Sequence, residues 1–283
     1  MLLAGALCAA QQQKPDLDPL ELVRRASQNE IKAVEYHQYF MYRDHVDWKT
    51  HSITREVIET PQGGLATTIA INDQPLTPEQ RAKDNQKLEK FANDPEARRK
   101  KEQASKEEDQ RDQLMLTSLP DAFFYTYAGT VQGPNGDELA HLTFKPNPNF
   151  NPPNHETRVY QGMQGDMLID RKALRIVKID GTLFKDVDFG WGILGRLYKG
   201  GKFYIEQRDV GGGRWEMTQQ TLHFTGKILM IKPLNIYSSE TMTDFRPVPA
   251  NLTVAQALDL LYKSNQTVAQ NGTSTKVGNS DHR

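Results

Sequence analysis

Two pairs of carboxylates are the first candidates for chemistry in this sequence. They are Asp166 with Asp170 and Asp186 with Asp188. Carboxylates two residues apart on a strand share a face of the sheet, so such a pair could act as acid and base. However, the run Asp170-Arg171-Lys172 is typical of a β-turn, and the spacing predicts that Asp186 and Asp188 point to solvent. We therefore expect both pairs to have structural roles.

Other catalytic chemistries lack their motifs. The sequence contains no HExxH, CxxC or GxSxG motif, and no GxGxxG motif opens a helix after a strand. The run Gly211-Gly212-Gly213 is predicted to be a hairpin turn, where glycine supplies positive φ. Seven histidines are scattered along the chain, at positions 37, 45, 51, 141, 155, 223 and 282. The sequence therefore predicts no metal site, no cofactor and no enzymatic activity.

The charge balance argues against a nucleic-acid partner. The 283 residues include 35 basic and 36 acidic side chains, which gives a formal net charge of -1. A protein that binds nucleic acid through bulk charge needs a basic excess. Hydrophobic residues make up 37% of the chain, which is too many for a wholly disordered protein. We expect one folded domain with polar appendages.

The first residues resemble the end of a secretory signal peptide. Residues 1–10 (MLLAGALCAA) are apolar and precede three glutamines, and the small residues Cys8 and Ala10 suit a cleavage site. We therefore predict a signal-peptide remnant at residues 1–13, export, and a periplasmic location, with association with the outer membrane as an option. A lipid anchor on Cys8 and a cytosolic chain are the alternatives. No later stretch is apolar enough to predict a transmembrane helix in the mature chain.

Three helical regions are predicted outside the strands. Asp18-Pro19 begins an amphipathic helix that runs to about Val34, and Thr253 begins a last helix to about Tyr262. Thr77-Pro78-Glu79-Gln80 is a capping box that opens a charged helical insertion at about 78–112, broken near Asp94-Pro95. The mixed charges indicate a solvated arm, and partner recognition is the alternative. We predict one domain at 14–263 and a disordered tail at 264–283.

Most of the remaining chain is predicted to form an antiparallel β-meander, because short strands alternate with turn signals and no helical crossover separates them. The fold class is therefore α+β. The predicted strands are 36–48, 52–58, 65–71, 122–127, 138–144, 159–163, 167–169, 174–180, 182–189, 201–210, 214–224, 227–237 and 239–245. From Leu114 onward we expect strand-like structure. The Pro- and Asn-rich stretch 145–154 is expected to be a loop.

Large apolar side chains concentrate around one glycine-rich segment, 189–195 (FGWGILG). An extensive sheet needs cover for its apolar face, from a helix or from a bound hydrophobic ligand. Ordinary core and a ligand cavity between sheet and helix both remain open. The candidate ligand-binding residues are Phe184, Phe189, Trp191, Ile193, Leu197, Phe203 and Ile205.

Two adjoining segments resemble a known family. Residues 161–170 (QGMQGDMLID) and 174–181 (LRIVKIDG) resemble the LolA-like superfamily of outer-membrane lipoprotein-sorting proteins, in which a strand ending in Ile-Asp turns into a similar strand. Leu168 stands where an aromatic residue often precedes that pair. The resemblance continues through Asp188-Phe189-Gly190, Gly192-Ile193-Leu194, Leu197, Lys199-Gly200 and Glu206-Gln207 to Trp215. Within that superfamily, the chain is most similar to a bacterial branch with a charged insertion after Asn72–Thr77.

The resemblance implies a strongly curved antiparallel sheet, a half barrel, whose concave apolar face is closed by helices. It also implies a non-catalytic protein that holds an acyl chain or a lipoprotein. We therefore expect an exported binding protein for an apolar ligand. The alternative is a structural or interaction protein of the cell envelope, with a filled core and a charged arm for contact with an envelope protein.

Overall fold

The helices and strands below come from a computed structural model that describes residues 18–35, 38–190, 194–229 and 231–274, without the side chains of 34, 35 and 265–274. The helices are α1 (Pro19–Glu35), α2 (Pro78–Ala92), α3 (Pro95–Ala122) and α4 (Val254–Ser274), with a 3-10 helix at Thr157–Gly162. The strands are β1 (Phe40–Trp48), β2 (His51–Ile58), β3 (Leu65–Ile71), β4 (Gln74–Pro75), β5 (Phe123–Gln132), β6 (Glu138–Pro146), β7 (Met163–Asp170), β8 (Ile176–Leu183), β9 (Val187–Phe189), β10 (Gly195–Leu197), β11 (Lys202–Asp209), β12 (Trp215–Ile228) and β13 (Lys232–Pro247).

All these strands belong to one antiparallel sheet. Its order is β4-β3-β2-β1-β13-β12-β11-β8-β7-β6-β5, with β10 and β9 added beside β12. Most neighbours are consecutive in the sequence, as a meander requires. The exceptions in this order are β8, which pairs with β11, and β1, which pairs with β13 almost along its whole length. The sheet is not closed into a barrel, because β4 and β5 are at its two edges. The predicted α+β class with a large antiparallel sheet is confirmed.

Helix α1 packs on one face of the sheet, over β5 to β8. Its apolar stripe of Leu22, Val23 and Ala26 is buried in a cluster that also contains Leu142 and Met167 of the sheet. The stripe follows from apolar residues recurring every three to four positions. Burying each large side chain in this cluster contributes about 1.5–3 kcal/mol. This contact fixes α1 over the sheet and decides where a cavity can remain.

Helices α2 and α4 pack against the opposite face, at β1 to β3. Met41 belongs to a second buried cluster with Ile58 and with Leu261 of α4. Successive residues of a strand point to opposite faces, so Tyr42 faces the side that α1 covers. The sheet is therefore covered by helices on both faces, but over different strands.

The charged insertion is anchored to the sheet. As predicted, Thr77 forms a capping box with Gln80, and the break falls at Asp94, whose side chain caps α3. The Asp84 carboxylate accepts two hydrogen bonds of 2.9 Å, one from the Thr67 hydroxyl and one from the Thr68 backbone amide. The insertion therefore lies against the fold, with α2 tied to β3.

Several predicted boundaries were wrong. Residues 114–122 are helical because Met115, Leu116 and Leu119 recur at helical spacing and contact the main core. The predicted strand 159–163 is mostly 3-10 helix, and 182–189 is divided between the end of β8 and β9. Residues 239–245 continue β13 without a turn, because pairing with β1 extends that strand beyond its partner β12.

Other predictions fall partly outside the described residues. The signal-peptide remnant lies in 1–17, and the end of the polar tail lies in 275–283. Helix α4 continues past the expected end near Tyr262 to Ser274. In the described part of the chain, no helix combines the length and apolar character needed to cross a membrane.

Candidate ligand-binding cavity

A cavity of about 1640 Å³ lies against the sheet face that α1 covers. Its walls come from α1, from β1 and β2, from the β7–β8 turn, and from adjacent parts of β11 and β12. Helix α3 adds Glu102, Ser105, Lys106 and Asp109. The charged insertion is therefore a wall of the cavity along this part of its length.

Two glutamates in the cavity have no cationic partner of their own among the described residues. Glu59 Oε2 accepts a 2.9 Å hydrogen bond from the Phe40 amide, and burial raises the pKa of this carboxyl. The carboxyl group of Glu216 forms no hydrogen bond or ion pair with any residue that the structure describes. Burial first, and then the charge of Glu59, raise the pKa of Glu216 to about 7. The two acids therefore hold protons more strongly than exposed glutamates do.

Tyr42 lies near the same acids and shares their environment. Burial and then the charge of Glu59 raise the pKa of its hydroxyl above the usual range, so it stays protonated. Its ring stacks on Phe245 with centroids 5.2 Å apart. The sheet thus presents a protonated phenol and two proton-holding carboxyls beside apolar lining residues such as Val57 and Val177.

A buried ion pair between Arg175 and Glu30 forms part of the cavity wall. The Arg175 guanidinium donates to Glu30 through Nε at 2.9 Å and Nη2 at 2.6 Å, and the Ile176 amide donates to the same carboxylate at 2.9 Å. The guanidinium also lies 5.8 Å from the ring centroid of Trp215. Arg175 lowers the pKa of Glu216, but its effect is smaller than those of burial and of Glu59, which raise it. Because Arg175 is bound to Glu30, it joins α1 to β8 and does not neutralise Glu216.

Cationic side chains also line the cavity. Arg214 lies over the ring of Phe40, 5.8 Å from its centroid, and Lys32 and Lys172 are further lining residues. Among the described residues, none of these three cations forms an ion pair with a carboxylate. The cavity therefore offers apolar surface together with charges of both signs that the protein itself does not pair. Such a lining suits an amphipathic ligand better than a purely apolar one.

A second carboxyl pair lies on the same sheet face outside the cavity. Asp44 is 4% exposed and contacts Arg55 at 3.5 Å. Burial first, and then the neighbouring Asp44 carboxylate, raise the pKa of Glu240 to about 7. Asp44 Oδ1 has no hydrogen-bond partner in the described structure, because Arg55 contacts Oδ2. The Glu240 carboxyl therefore holds its proton more strongly than an exposed glutamate does.

These raised pKa values predict that stability decreases with pH. The folded-state pKa values of Glu216 and Glu240, about 7, exceed their ordinary value of 4.5. The stabilisation is therefore complete below about pH 4.5 and is lost as the pH rises through 7. Because both side chains are partly exposed, we expect a loss of about 1 kcal/mol between pH 5.5 and pH 8. Thermal unfolding at the two pH values measures it.

Two glutamine variants and one control test this assignment. Glu216→Gln and Glu240→Gln should each reduce the pH dependence of the melting temperature, because glutamine does not ionise. The matched control is Glu108→Gln, which replaces an exposed glutamate of α3. If all three variants kept the wild-type pH profile, the raised pKa values would be wrong.

Five of the seven candidate ligand-binding residues are described, and they lie outside the cavity. Phe189, Leu197 and Phe203 pack against the main core, Ile205 is half-buried, and Phe184 is 44% exposed. None of these five residues lines the cavity as the described chain forms it. The other two, Trp191 and Ile193, lie outside the described residues.

The carboxylate pairs from the sequence have structural partners. Asp166 contacts His141 at 2.7 Å, and Asp170 Oδ1 accepts from the Lys172 and Ala173 amides in the predicted turn. Asp188 binds Arg196 through two hydrogen bonds. In the part of the chain that the structure describes, no group of three or more histidine, cysteine, aspartate or glutamate side chains is arranged to hold a metal ion.

The sequence analysis did not identify Tyr42, Glu59 or Glu216. Tyr42 lies in β1 and Glu59 directly follows β2, whereas Glu216 lies more than 150 positions later, in β12. They meet because β13 pairs with β1 and places β12 next in the sheet. No local pattern predicts that long-range pairing, so the sequence held no signal for this site.

Comparisons with protein-family models, curated proteins and solved structures found no match to this chain. The LolA-like resemblance therefore stays a prediction that depends on the short motifs alone. Functional inference must start from the cavity and its side chains.

Proposed function

We propose that the protein is a non-catalytic binding protein whose cavity between the sheet and α1 holds an amphipathic ligand. The observation that carries this proposal is the cavity of about 1640 Å³, in which Glu59 and Glu216 form no ion pair with any cation of the described chain. A volume above about 1,000 Å³ exceeds that of most small-molecule pockets, so a long-chain ligand fits the space. Its apolar part would lie along Val57, Val177 and Trp215.

The acids define the polar end of the ligand. A carboxyl held away from water is stabilised by a hydrogen-bond donor or a cation. An amine or hydroxyl group of the ligand placed between Glu59 and Glu216 would satisfy both. Bound ammonium would also favour ionisation of Glu216, because an opposite charge lowers the pKa of a carboxyl. We therefore propose a long-chain amine, or an acylated molecule with an amine near its chain, as the ligand class.

The acyl-chain and lipoprotein-carrier expectation is a narrower form of this proposal. It includes the strong curvature of the sheet, the LolA-like fold and export to the periplasm, each of which remains a proposal. Burial of one acyl chain contributes about 0.8 kcal/mol per methylene, which is enough for useful affinity in a preformed cavity. The alternative, a charged arm for contact with an envelope protein, is less favoured because α2 and α3 are anchored to the fold.

Direct binding of three matched probes tests the proposal. Dodecylamine, dodecanol and dodecanoate share one chain and differ in the head group. By isothermal calorimetry near neutral pH, we expect affinity in the order amine, alcohol, acid. Organic extraction of the purified protein, followed by mass spectrometry, should also find an amphipathic species near one equivalent.

Two variants locate the binding site. The double variant Glu59→Gln/Glu216→Gln should reduce the affinity for dodecylamine by about tenfold or more, because the substitutions remove only the charge. The affinity for dodecanol should be nearly unchanged. Glu240→Gln is the matched control, since this acid lies on the same sheet face but outside the cavity lining. Ala33→Trp, which fills space beside α1, should weaken all three probes. Failure of every probe to bind, or equal binding by Ala33→Trp, would contradict the proposal.

A further inference from the structure

The turn between β12 and β13 carries exposed apolar side chains. Leu229 is 60% exposed and Ile231 is 87% exposed. Leu194 joins them, because its carbonyl oxygen accepts a 3.2 Å hydrogen bond from the Leu229 amide and its side chain is 50% exposed. We call Leu194, Ile228, Leu229 and Ile231 the apolar tip. No described part of the chain covers it.

The residue types of this turn do not suit its backbone. Leu229 has φ +49°, a left-handed conformation that is unfavourable for a bulky residue and normal for glycine or asparagine. Ile231 donates a 2.8 Å hydrogen bond to the Leu229 carbonyl, so the turn is tight. Tight hairpin turns are normally polar and rich in Gly, Asn and Asp. Apolar residues at such a turn reduce stability and solubility, which indicates a role in binding.

The two chain segments that carry the tip have an excess of basic residues, of which Arg196 is paired with Asp188 of the neighbouring β9. Residues 194–202 and 226–237 contain five basic and no acidic residues. Within the described chain, Lys199, Lys227 and Lys232 form no ion pair with a carboxylate. Lys232 pairs with Ile228 across the hairpin, so the lysines stand directly behind the apolar tip. Tyr198 and Tyr237, each 38% exposed, lie further back.

We propose that the apolar tip inserts into the surface of an anionic lipid bilayer. Apolar residues at a projecting turn can enter the acyl-chain boundary, while the lysines behind them contact anionic head groups. Tyrosine is suited to the interface between the two regions. A second copy of the chain fits less well, because like charges would face each other across the contact.

This membrane contact is separate from the ligand cavity. The cavity contacts β12 at Trp215 to Met217, whereas the tip follows the other end of that strand at Ile228. At about 3.3 Å per residue, the strand length between Trp215 and Ile228 is roughly 40 Å. The inference therefore does not depend on the proposed ligand, and a variant at the tip should leave probe binding in the cavity unchanged.

Vesicle co-sedimentation of the full chain tests the proposal. The probes are vesicles of pure phosphatidylcholine and vesicles with about one-third phosphatidylglycerol, at low salt. We expect binding to the anionic vesicles that weakens as salt is added. Leu229→Asn/Ile231→Ser should reduce the partition coefficient by about tenfold or more. Because asparagine tolerates positive φ, the variant should be at least as stable as the wild type.

Two further variants separate the apolar and charged contributions. Lys227→Gln/Lys232→Gln should reduce binding to anionic vesicles towards the level for pure phosphatidylcholine. Val131→Ser, at an exposed position on β5 (38% exposed), is the matched control and should bind like the wild type. The proposal is wrong if the wild type binds neither kind of vesicle, or if the tip variant binds as well as the wild type. A concentration-dependent dimer that the tip variant abolishes, without vesicle binding, would identify a second copy as the partner and also overturn it.

Discussion

Gly165→Ala should destabilise the protein by about 3 kcal/mol, which corresponds to a decrease of roughly 6–12 °C in melting temperature. Gly165 of β7 pairs with Gly181 of β8. A Cβ atom at position 165 would overlap the backbone carbonyl oxygen of Asp180 and would lie 3.0 Å from the Gly181 Cα. These are backbone atoms, so no side chain can move away. The two strands must separate at the centre of the main core.

A second glycine provides the matched control for this prediction. A Cβ atom at Gly64 would be 3.8 Å from the nearest atom, the Ile58 carbonyl oxygen. Gly64→Ala should therefore change the free energy of unfolding by less than about 1 kcal/mol, in either direction. Chemical denaturation with the two variants side by side measures the difference. Equal stability of Gly165→Ala and the wild type would show that β7 and β8 are not paired as described.

Arg175→Ala should destabilise the protein by about 3–5 kcal/mol. The side chains of Arg175 and Glu30 are 11% and 8% exposed, so the substitution leaves a buried carboxylate with only the Ile176 amide as partner. The reverse variant, Glu30→Ala, leaves a buried guanidinium and should cost a similar amount. Each change also detaches α1 from the start of β8, so probe binding in the cavity should weaken.

A double variant separates the effect of losing the ion pair from the cost of leaving one buried charge unpaired. Glu30→Leu/Arg175→Met should recover most of the stability, because apolar residues of similar size often replace a buried ion pair without loss. As the matched control, Arg196→Ala removes an equally bidentate pair with Asp188 at side chains 37% and 43% exposed. That change should cost less than about 1 kcal/mol. If Arg175→Ala cost no more than Arg196→Ala, the buried pair would not stabilise the fold.

Local patterns in the sequence predicted most helices and strands. The capping box at Thr77 and the alternation in 65–71 each depend on neighbouring residues, and the structure places α2 and β3 there. The prediction was wrong for 114–122, where Met115, Leu116 and Leu119 satisfy helical spacing although the run is also apolar enough for a strand. Short apolar runs are ambiguous in this way, and contact with the core decides them.

The candidate site could not be predicted by the same reasoning. The sequence suggested a ligand site among apolar residues near 184–205, because the apolar face of an extensive sheet needs cover and a bound ligand is one way to supply it. Five of those residues are described, and they lie outside the cavity. The acids of the cavity come from the turn after β2 and from β12, and each has ordinary polar neighbours in the sequence. Only the order of strands in the sheet brings Glu59 and Glu216 together.

The pairing of β1 with β13 has a consequence for synthesis of the chain. Phe40 pairs with Pro247, so the sheet gains its central connection only after more than 200 further residues have left the ribosome. Contacts of such high sequence separation form late and slow folding. Because the cavity takes walls from both β1 and β12, a nascent chain has no binding cavity until β13 is made. For the proposed binding function, chains truncated before Pro247 should therefore not bind dodecylamine.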